Sequence, residues 1–320
     1  TPLSFLAIDG AGEFSLGEDI TDFMSNTATT TLIFGKNRIG YLTGTSAIDF
    51  SLRIITDSSG AKESTAVMLG QPVFMDDQGL RSLSTSQSFG DWSRGTITRQ
   101  IQPFIEAKKA AGYSPIGAHR VRAKDQYRLY FSDGSIISIY FGREKPEALS
   151  SNLTFMPSIV TSGEDSTGAE RIFIGGDDGF VYQADMGTSY DGAAIDAYLR
   201  FPFMHMGAPN REKRFHSAKL DITTENTSSA VGIYAEYSNG DPDFVTADTK
   251  SKVVAGVGGF WDEAQWNKFI WSAPVQSRVT VDLQGLGENI SILLASNTAT
   301  ENPHTISSMT MYFTPRRELR

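Results

Sequence analysis

Short stretches of alternating apolar and polar residues run along most of the chain and are separated by glycine-containing turns. An alternation with a period of two predicts strands that bury one face. The 30 glycines and 20 phenylalanines among the 320 residues suit many short strands joined by tight turns. The sequence therefore predicts an all-β protein.

A helical period interrupts this pattern over residues 96–111. The apolar residues that would share one helix face are Ile97, Ile101, Phe104 and Ile105. Gly112 follows as a stop signal, and Pro103 either kinks the helix or marks its start. One short helical insertion is therefore predicted here, and a shorter helical turn is a further candidate at residues 18–24.

Four similar hairpins occur in the first 190 residues, at 33–42, 73–83, 129–140 and 172–184. The aromatic residues before their turns are Phe34, Phe74, Phe131 and Phe173, separated by 40, 57 and 42 residues. The step of 57 residues contains the predicted helical insertion. Without that insertion, the spacing of the hairpins is near the ~40–45 residues of a propeller blade. Residues 1–190 are therefore predicted to form a β-propeller-like domain, complete or partial. An ordinary β-meander that reuses Asp-Gly turns is the alternative.

The strands become longer and more regular after about residue 190, and six alternating runs joined by polar loops predict an antiparallel β-sandwich over residues 191–320. The residues predicted to face its core are Leu220, Ile222, Ile233, Tyr237, Val279, Val281, Ile290, Ile292 and Met311. Trp261, Trp266 and Trp271 recur at five-residue steps, and we interpret them as packing residues more readily than as a ligand platform.

The net charge of −9 is distributed unevenly. Residues 151–199 contain eight acidic residues and one basic residue, Arg171. The acidic side chains of this patch that we single out are Glu164, Asp165, Glu170, Asp177, Asp178 and Asp185. Basic residues cluster at 120–128 and 211–219, which suits electrostatic contact between copies of the chain; solvated faces without a partner are the alternative.

Several kinds of chemistry are excluded or disfavoured by the residues themselves. The chain has no cysteine, so disulfides and thiolate sites are impossible, and its four histidines form no metal-binding motif. No nucleophile elbow or phosphate-binding loop occurs. The paired acids at 76–77 and 177–178 lack the alternating spacing of calcium loops, and turn formation explains them. We therefore expect no enzyme activity, no cofactor and no metal site.

Larger stretches of the chain resemble a known family. The stretches are LIFGKNRIGYLTGTS at 32–46, QPVFMDDQGLRSLSTSQSFGDW at 71–92, DQYRLYFSDGSIISIYF at 125–141 and the passage from RIFIGGDDGFVYQAD through YLRFPF to KRFHSAKLDIT at 171–223. Together with the ending SSMTMYFTPRRELR, they are similar to phage tail nozzle and related head-to-tail connector proteins of short-tailed phages. Such proteins place a propeller domain beside a sandwich-like platform. The chain begins within what reads as a blade, so we expect further blades upstream.

The resemblance implies a structural virion protein, made in the host cytoplasm and incorporated into the phage tail. Its copies, six in number, would form a homo-oligomeric ring that contacts portal and adaptor proteins and conducts double-stranded DNA without binding it specifically. Under this hypothesis the acidic patch lines the channel or its surface, because negative charge repels phosphate. Arg211, Lys213 and Arg214 are the predicted assembly contacts.

Two other functions are compatible with the same sequence. One is a baseplate or receptor-binding protein that contacts cell-surface glycan, and the other is a propeller enzyme that degrades polysaccharide. No apolar run is long enough to predict a membrane span.

Overall fold

The computed structural model describes residues 12–27, 30–45, 49–83, 97–141, 146–224, 229–238, 245–254, 276–298 and 304–318. Strands dominate and pair antiparallel throughout these ranges, which confirms the predicted all-β class. The chain divides into two compact units, Thr1–Met186 and Gly187–Arg320. The sequence placed this boundary between residues 190 and 191.

The described residues of the first unit form four sheets that follow one another in chain order. The first contains β1 (Ile20–Thr27), β2 (Thr30–Gly35), β3 (Ile39–Thr43) and β4 (Ser51–Thr56), and the second contains β5 (Val67–Met68), β6 (Pro72–Asp76) and β7 (Gly79–Ser82). The third contains β8 (Pro115–Val121), β9 (Gln126–Phe131), β10 (Ser135–Tyr140) and β11 (Glu147–Asn152), and the fourth contains β12 (Pro157–Glu164), β13 (Glu170–Gly176) and β14 (Val181–Ala184). Every sheet is a simple meander.

The four predicted hairpins are confirmed, and each is the pairing of the second and third strands of one sheet. The helical turn predicted at residues 18–24 is wrong, because this segment forms β1, which pairs with β2. The Asp22 carboxylate accepts hydrogen bonds from the backbone N–H groups of Phe23 and Ala66, which holds β1 beside the start of the second sheet.

Three hydrophobic cores separate the four sheets, one between each consecutive pair. Phe34 of the first sheet meets Phe74 of the second, with ring centroids 5.3 Å apart. Met75 of the second sheet packs with Leu129 of the third, and Tyr130 on the opposite face of the third sheet packs with Ile174 of the fourth. The sheets of the first unit therefore stack face to face in chain order.

The predicted helix is confirmed as α1 (Gln102–Ala110), which follows a 3-10 turn at Arg99–Ile101. Pro103 lies at its first turn, where a missing N–H costs nothing, so this proline marks the start of the helix. Ile105 is buried in the core between the second and third sheets, with Phe104 and Ile101 packed against it. The helix thus closes one edge of this core.

The strands described in the second unit form two sheets packed face to face. Their strands, in chain order, are β15 (Ile195–Arg200), β16 (Arg211–Thr224), β17 (Ser229–Ser238), β18 (Val245–Val254), β19 (Gln276–Gly287), β20 (Asn289–Thr298) and β21 (His304–Glu318). One sheet has the order β15-β20-β17-β18 and the other β19-β16-β21. Seven of the nine predicted core residues are buried in the cluster between these sheets, and Val279 and Met311 are partly buried and pack against it, so the predicted sandwich is confirmed. Trp261, Trp266 and Trp271 lie outside the described residues.

Candidate functional site

A charged cleft of about 650 Å³ opens in the first unit, where the turn after β8 faces the β12–β13 hairpin and the end of β14. Its lining consists of Val121, Arg122, Ala123, Lys124, Gly168, Ala169, Glu170, Arg171, Ile172, Gln183, Ala184, Asp185 and Met186. The turn is a 3-10 helix over Arg122–Lys124 that ends at Asp125 in the left-handed conformation, with φ of 47°. This tight turn directs Arg122 and Lys124 into the cleft.

An ion pair between Arg128 and Asp185 lies beside the cleft. The Arg128 Nη1 and Nη2 atoms donate to the two Asp185 oxygens at 2.9 and 2.8 Å, and Lys124 Nζ donates to Asp185 Oδ2 at 3.0 Å. Burial alone would raise the pKa of Asp185, but the hydrogen bonds and positive charges of Arg128 and Lys124 outweigh it and lower that pKa. The bidentate geometry joins the third sheet to the fourth.

Further carboxylates around the cleft are paired with arginines. Arg122 Nη1 lies 2.6 Å from Glu164 Oε1, and the Arg122 backbone N–H donates to Glu170 Oε2 at 2.8 Å. Asp165 accepts hydrogen bonds from Thr167 and from Arg171 Nε, the latter at 2.9 Å, and these bonds lower its pKa. The same Asp165 carboxylate accepts backbone N–H groups in its own turn and therefore shapes the β12–β13 hairpin.

The predicted acidic patch is therefore partly neutralised within the first unit. Its paired members are Glu164, Asp165, Glu170 and Asp185. Of the basic cluster at 120–128, for which the sequence suggested contacts with other copies or a solvated face, Arg122, Lys124 and Arg128 bind these acids of the same chain. Arg120 binds Asp125. Asp177 and Asp178 form no ion pair with another described residue; Asp178 accepts from Tyr182 Oη at 2.6 Å. That the six acids line a channel stays a prediction.

A buried imidazole lies next to the Arg128–Asp185 pair. His119 and Arg128 are direct cross-strand neighbours on β8 and β9, and the His119 ring stacks on Tyr130 with centroids 5.3 Å apart. Neither ring nitrogen of His119 has a hydrogen-bond partner among the described residues. Burial, together with the positive charge of Arg128, lowers the pKa of His119 to about 4, so the ring is neutral at pH 7.

The three predicted assembly residues lie at the start of β16 in the second unit, and they differ in exposure. Arg211 and Arg214 are exposed, whereas Lys213 has 0% of its surface accessible. Lys213 Nζ donates to the backbone carbonyls of Arg211 and Glu288, each at 2.8 Å, and to that of Ala208 at 2.5 Å. The prediction that Lys213 is an assembly contact is therefore wrong.

The alternation of apolar and polar residues in β16 already indicated that Lys213 is an internal residue. Lys213 is two residues before Phe215, and residues two apart in a strand share a face. Its side chain therefore starts on the core side, and a lysine there must find oxygen acceptors. The sequence did not reveal that the acceptors are backbone carbonyls, because two of the three come from the loop before β16 and from the β19–β20 turn.

The described residues contain no group of three or more His, Cys, Asp or Glu side chains that could hold a metal ion. The acids at the turn of the second sheet have other partners. Asp76 accepts a hydrogen bond from Ser59 and is 2.6 Å from Arg81 Nε, and Asp77 binds Lys62. No helix in the described part of the chain has the length and hydropathy needed to cross a membrane.

Comparison with known proteins adds little to this description. No family model and no curated protein matches the chain. Among solved structures, the chain is similar to one described as "Structural basis for the promiscuous specificity of the carbohydrate-binding modules from the beta-sandwich super family", at 9% identity and a TM-score of 0.17. The match covers 62% of this chain and 93% of that chain. A similarity this low carries no argument about fold or function.

Proposed function

We propose that the chain is a structural virion protein that forms the ring of a phage tail nozzle or head-to-tail connector and conducts DNA during ejection. The observation that carries this proposal is the order of the architecture: four meander sheets stacked face to face in chain order, followed by a two-sheet sandwich. In this proposal the four sheets are blades of a propeller, and the sandwich is the platform domain.

The charged cleft supports a role in which DNA passes without adhering. Lys and Arg side chains bind phosphate only when they are available to it, and their contacts dominate the affinity of proteins for DNA. Here Lys124 and Arg128 bind Asp185, and Arg122 binds Glu164 and Glu170. With a net charge of −9, the chain repels phosphate at long range, and the cations around the cleft are already paired with carboxylates at short range.

Electron microscopy of the purified full chain, with light scattering of the same sample, tests the proposal. We expect closed rings with an axial hole, in agreement with the homo-oligomer of about six copies that the resemblance implies. A chain that stays monomeric over the whole concentration range, or one that cleaves a polysaccharide, would contradict the proposal.

A second candidate function, glycan binding by a phage receptor-binding protein, is favoured by two tyrosines on the sandwich. Tyr198 and Tyr234 are exposed on the outer face of the four-stranded sheet. Tyr198, Ala295 and Gly232 are neighbours in one cross-strand row, and the ring of Tyr234 lies over Gly232, so two aromatic side chains border a row of small residues. Aromatic faces beside a shallow surface are suited to stacking on sugars.

Binding of the chain to a glycan array distinguishes glycan binding from the proposed ring function. Tyr198→Ala and Tyr234→Ala should each abolish glycan binding, whereas Tyr312→Ala, an exposed tyrosine of the other sheet, is the matched control. Absence of binding to every glycan would remove this candidate and leave the ring proposal.

A further inference from the structure

Three hairpin turns of the first unit can be compared because their backbones are alike. The turns of the second, third and fourth sheets contain Gly79, Gly134 and Gly179, each with a positive φ, of 125°, 85° and 86°. An aspartate stands one or two residues before each of these glycines. The three turns therefore show what the rest of the chain supplies to a turn of this kind.

Lysines of the same chain bind the acids of the second and third turns. Lys62 binds Asp77 of the second turn, and Lys108 of α1 binds Asp133 of the third. Both lysines come from outside the hairpin that they contact. A cation supplied by another element of the chain therefore belongs to each of these two turns.

The acids of the fourth turn have no such cation. Asp177 and Asp178 are exposed and form no ion pair with another described residue. Asp178 accepts hydrogen bonds from the backbone N–H of Phe180 and from Tyr182 Oη, so its carboxylate shapes the turn. Asp177 is therefore the carboxylate that this turn presents to a cation of another molecule.

Large apolar side chains beside Asp177 are exposed as well. Phe180 follows the turn glycine and is 67% exposed, whereas Leu80 and Ser135, which follow the glycines of the second and third turns, are buried. Met156, whose carbonyl accepts a hydrogen bond from the Asp177 backbone N–H, is 55% exposed. Exposed apolar side chains around a polar group are typical of contact surfaces between proteins.

Cations without a carboxylate partner lie on the outer face of the three-stranded sheet in the second unit, which we call the β16 face. Arg214 and Lys219 lie on this face, because their neighbours Phe215 and Leu220 point into the core. Neither cation forms an ion pair with another described residue. The Lys219 ammonium lies 4.6 Å from the centre of the Tyr312 ring.

The β16 face also exposes large apolar side chains beside these cations. Arg214 shares a cross-strand row with Leu286, which is 43% exposed, and Tyr312 on the neighbouring strand is 45% exposed. Of the described acids on this face, only Asp282 forms no ion pair with a described residue. The β16 face therefore combines exposed apolar side chains with more unpaired cations than unpaired acids.

We propose that the fourth turn of one copy docks on the β16 face of a second copy. This contact places Asp177 beside Arg214 and packs Phe180 against Leu286 and Tyr312. A second copy is the occupant because the two surfaces are complementary in charge, both expose apolar side chains, and every copy carries both surfaces. The inference rests on the proposed ring and specifies its subunit contact: a contact between two different surfaces joins copies head to tail and closes a ring when its rotation permits.

Exchange of the two charges between copies tests this contact. Asp177→Arg and Arg214→Asp are made as separate full chains, and light scattering measures the assembly of each variant alone and of their equimolar mixture. Each variant alone places like charges at every contact, so we expect it to need at least about tenfold higher concentration to assemble than the unsubstituted chain. In the mixture, the substituted turn of one variant meets the substituted face of the other, and assembly should recover.

Matched controls change the net charge by the same amounts elsewhere. Asp57→Arg and Arg99→Asp replace exposed residues that form no ion pair with another described residue. These variants should assemble like the unsubstituted chain, both alone and mixed. A loss of assembly equal to that of Asp177→Arg and Arg214→Asp would attribute the effect to net charge and contradict the contact.

Thiol cross-linking gives a second measurement that does not depend on charge, because the chain has no native cysteine. Phe180→Cys and Leu286→Cys are made as separate proteins, mixed and treated with a short bismaleimide. We expect a cross-linked dimer many times more abundant than with either protein alone. Leu149→Cys, an exposed position on an edge strand of the third sheet, replaces Leu286→Cys as the control.

Three results would overturn the inference. They are assembly that neither Asp177→Arg nor Arg214→Asp weakens, no recovery of assembly in their mixture, and cross-linking no stronger than with the Leu149→Cys control. Recovery only when both charge changes are made in one chain would place the contact within a single copy and would also overturn it.

Microscopy of the same samples separates this test from that of the proposed function. Closed rings that persist in both charge variants would refute only this contact. Open filaments that depend on the two charges would support the contact and refute the ring.

Discussion

The ammonium group of Lys213 donates three hydrogen bonds to backbone carbonyls, and these use all of its donors. Burial lowers the pKa of this lysine, yet the carbonyl dipoles stabilise the charged form. A residue whose type suggests a surface contact is therefore part of the internal structure of the sandwich. Arg211 and Arg214 remain the exposed cations of this strand.

Lys213→Ala should lower the free energy of unfolding of the chain by about 2 kcal/mol, because three carbonyls lose a buried donor. Urea denaturation followed by tryptophan fluorescence measures this loss. Arg214→Ala is the matched control and should change the stability by less than about 0.5 kcal/mol. Equal effects of the two substitutions would contradict the internal role of Lys213.

The buried imidazole of His119 makes stability depend on pH. Its pKa is about 4 in the folded chain and 6.5 in the unfolded chain, so between these values only the unfolded state takes up the proton. The free energy of unfolding therefore has its full value with respect to His119 above pH 6.5. It falls by about 3 kcal/mol in total as the pH decreases towards 4.

His119→Phe preserves the ring stacking on Tyr130 and should remove this part of the pH dependence. The measurement is the free energy of unfolding at several pH values between 7 and 4 for the variant, the unsubstituted chain and His205→Gln, an exposed control. A variant that loses stability over this range as steeply as the unsubstituted chain would show that His119 does not carry the effect.

At the scale of elements, the hydrophobic pattern predicted the four hairpins, the helix and the sandwich strands, because each of these depends on local turns and on periods of two or 3.6. It misassigned residues 18–24, where β1 forms through pairing with β2. It also did not show that each hairpin supplies the second and third strands of one sheet in a stack of sheets. That arrangement depends on which faces meet, and single strands carry no information about their neighbours.

Close approach between elements makes Gly60 a sensitive position. A Cβ atom at Gly60 would lie 2.0 Å from the backbone oxygen of Gly35, at the turn of the first sheet. Since backbone atoms have little freedom to move away, Gly60→Ala should destabilise the chain by about 2 kcal/mol or more. Thermal unfolding measures the effect, with Gly163→Ala as the control because no atom lies within 4 Å of its added Cβ. A neutral Gly60→Ala would contradict this packing.

At the scale of the whole molecule, the proposed passage of DNA predicts that the ion pairs around the cleft keep its cations from binding phosphate. Glu164→Gln, Glu170→Gln and Asp185→Asn together release Arg122, Lys124 and Arg128 from their carboxylates. We expect the unsubstituted chain not to bind double-stranded DNA at physiological salt and this triple variant to gain salt-sensitive binding.

Fluorescence anisotropy of a labelled duplex at several salt concentrations measures this gain. The control is a variant with the same change of net charge, made at three acids that pair with no described cation: Asp177→Asn, Asp178→Asn and Asp196→Asn. If the control bound DNA as well as the first variant, net charge and not the release of cations would explain the result.

The sequence by itself determined the all-β class, the hairpins, α1 and the inward residues of the sandwich, because alternation and turn chemistry act over a few neighbouring residues. Only the tertiary structure decided the partners of the charged residues. Arg128 and Asp185 are 57 positions apart, and folding brings them to 2.8 Å. It also decided which apolar rows became cores and which, such as the row of Ile159 and Val181, stayed exposed, because burial depends on the layer that lies opposite each face.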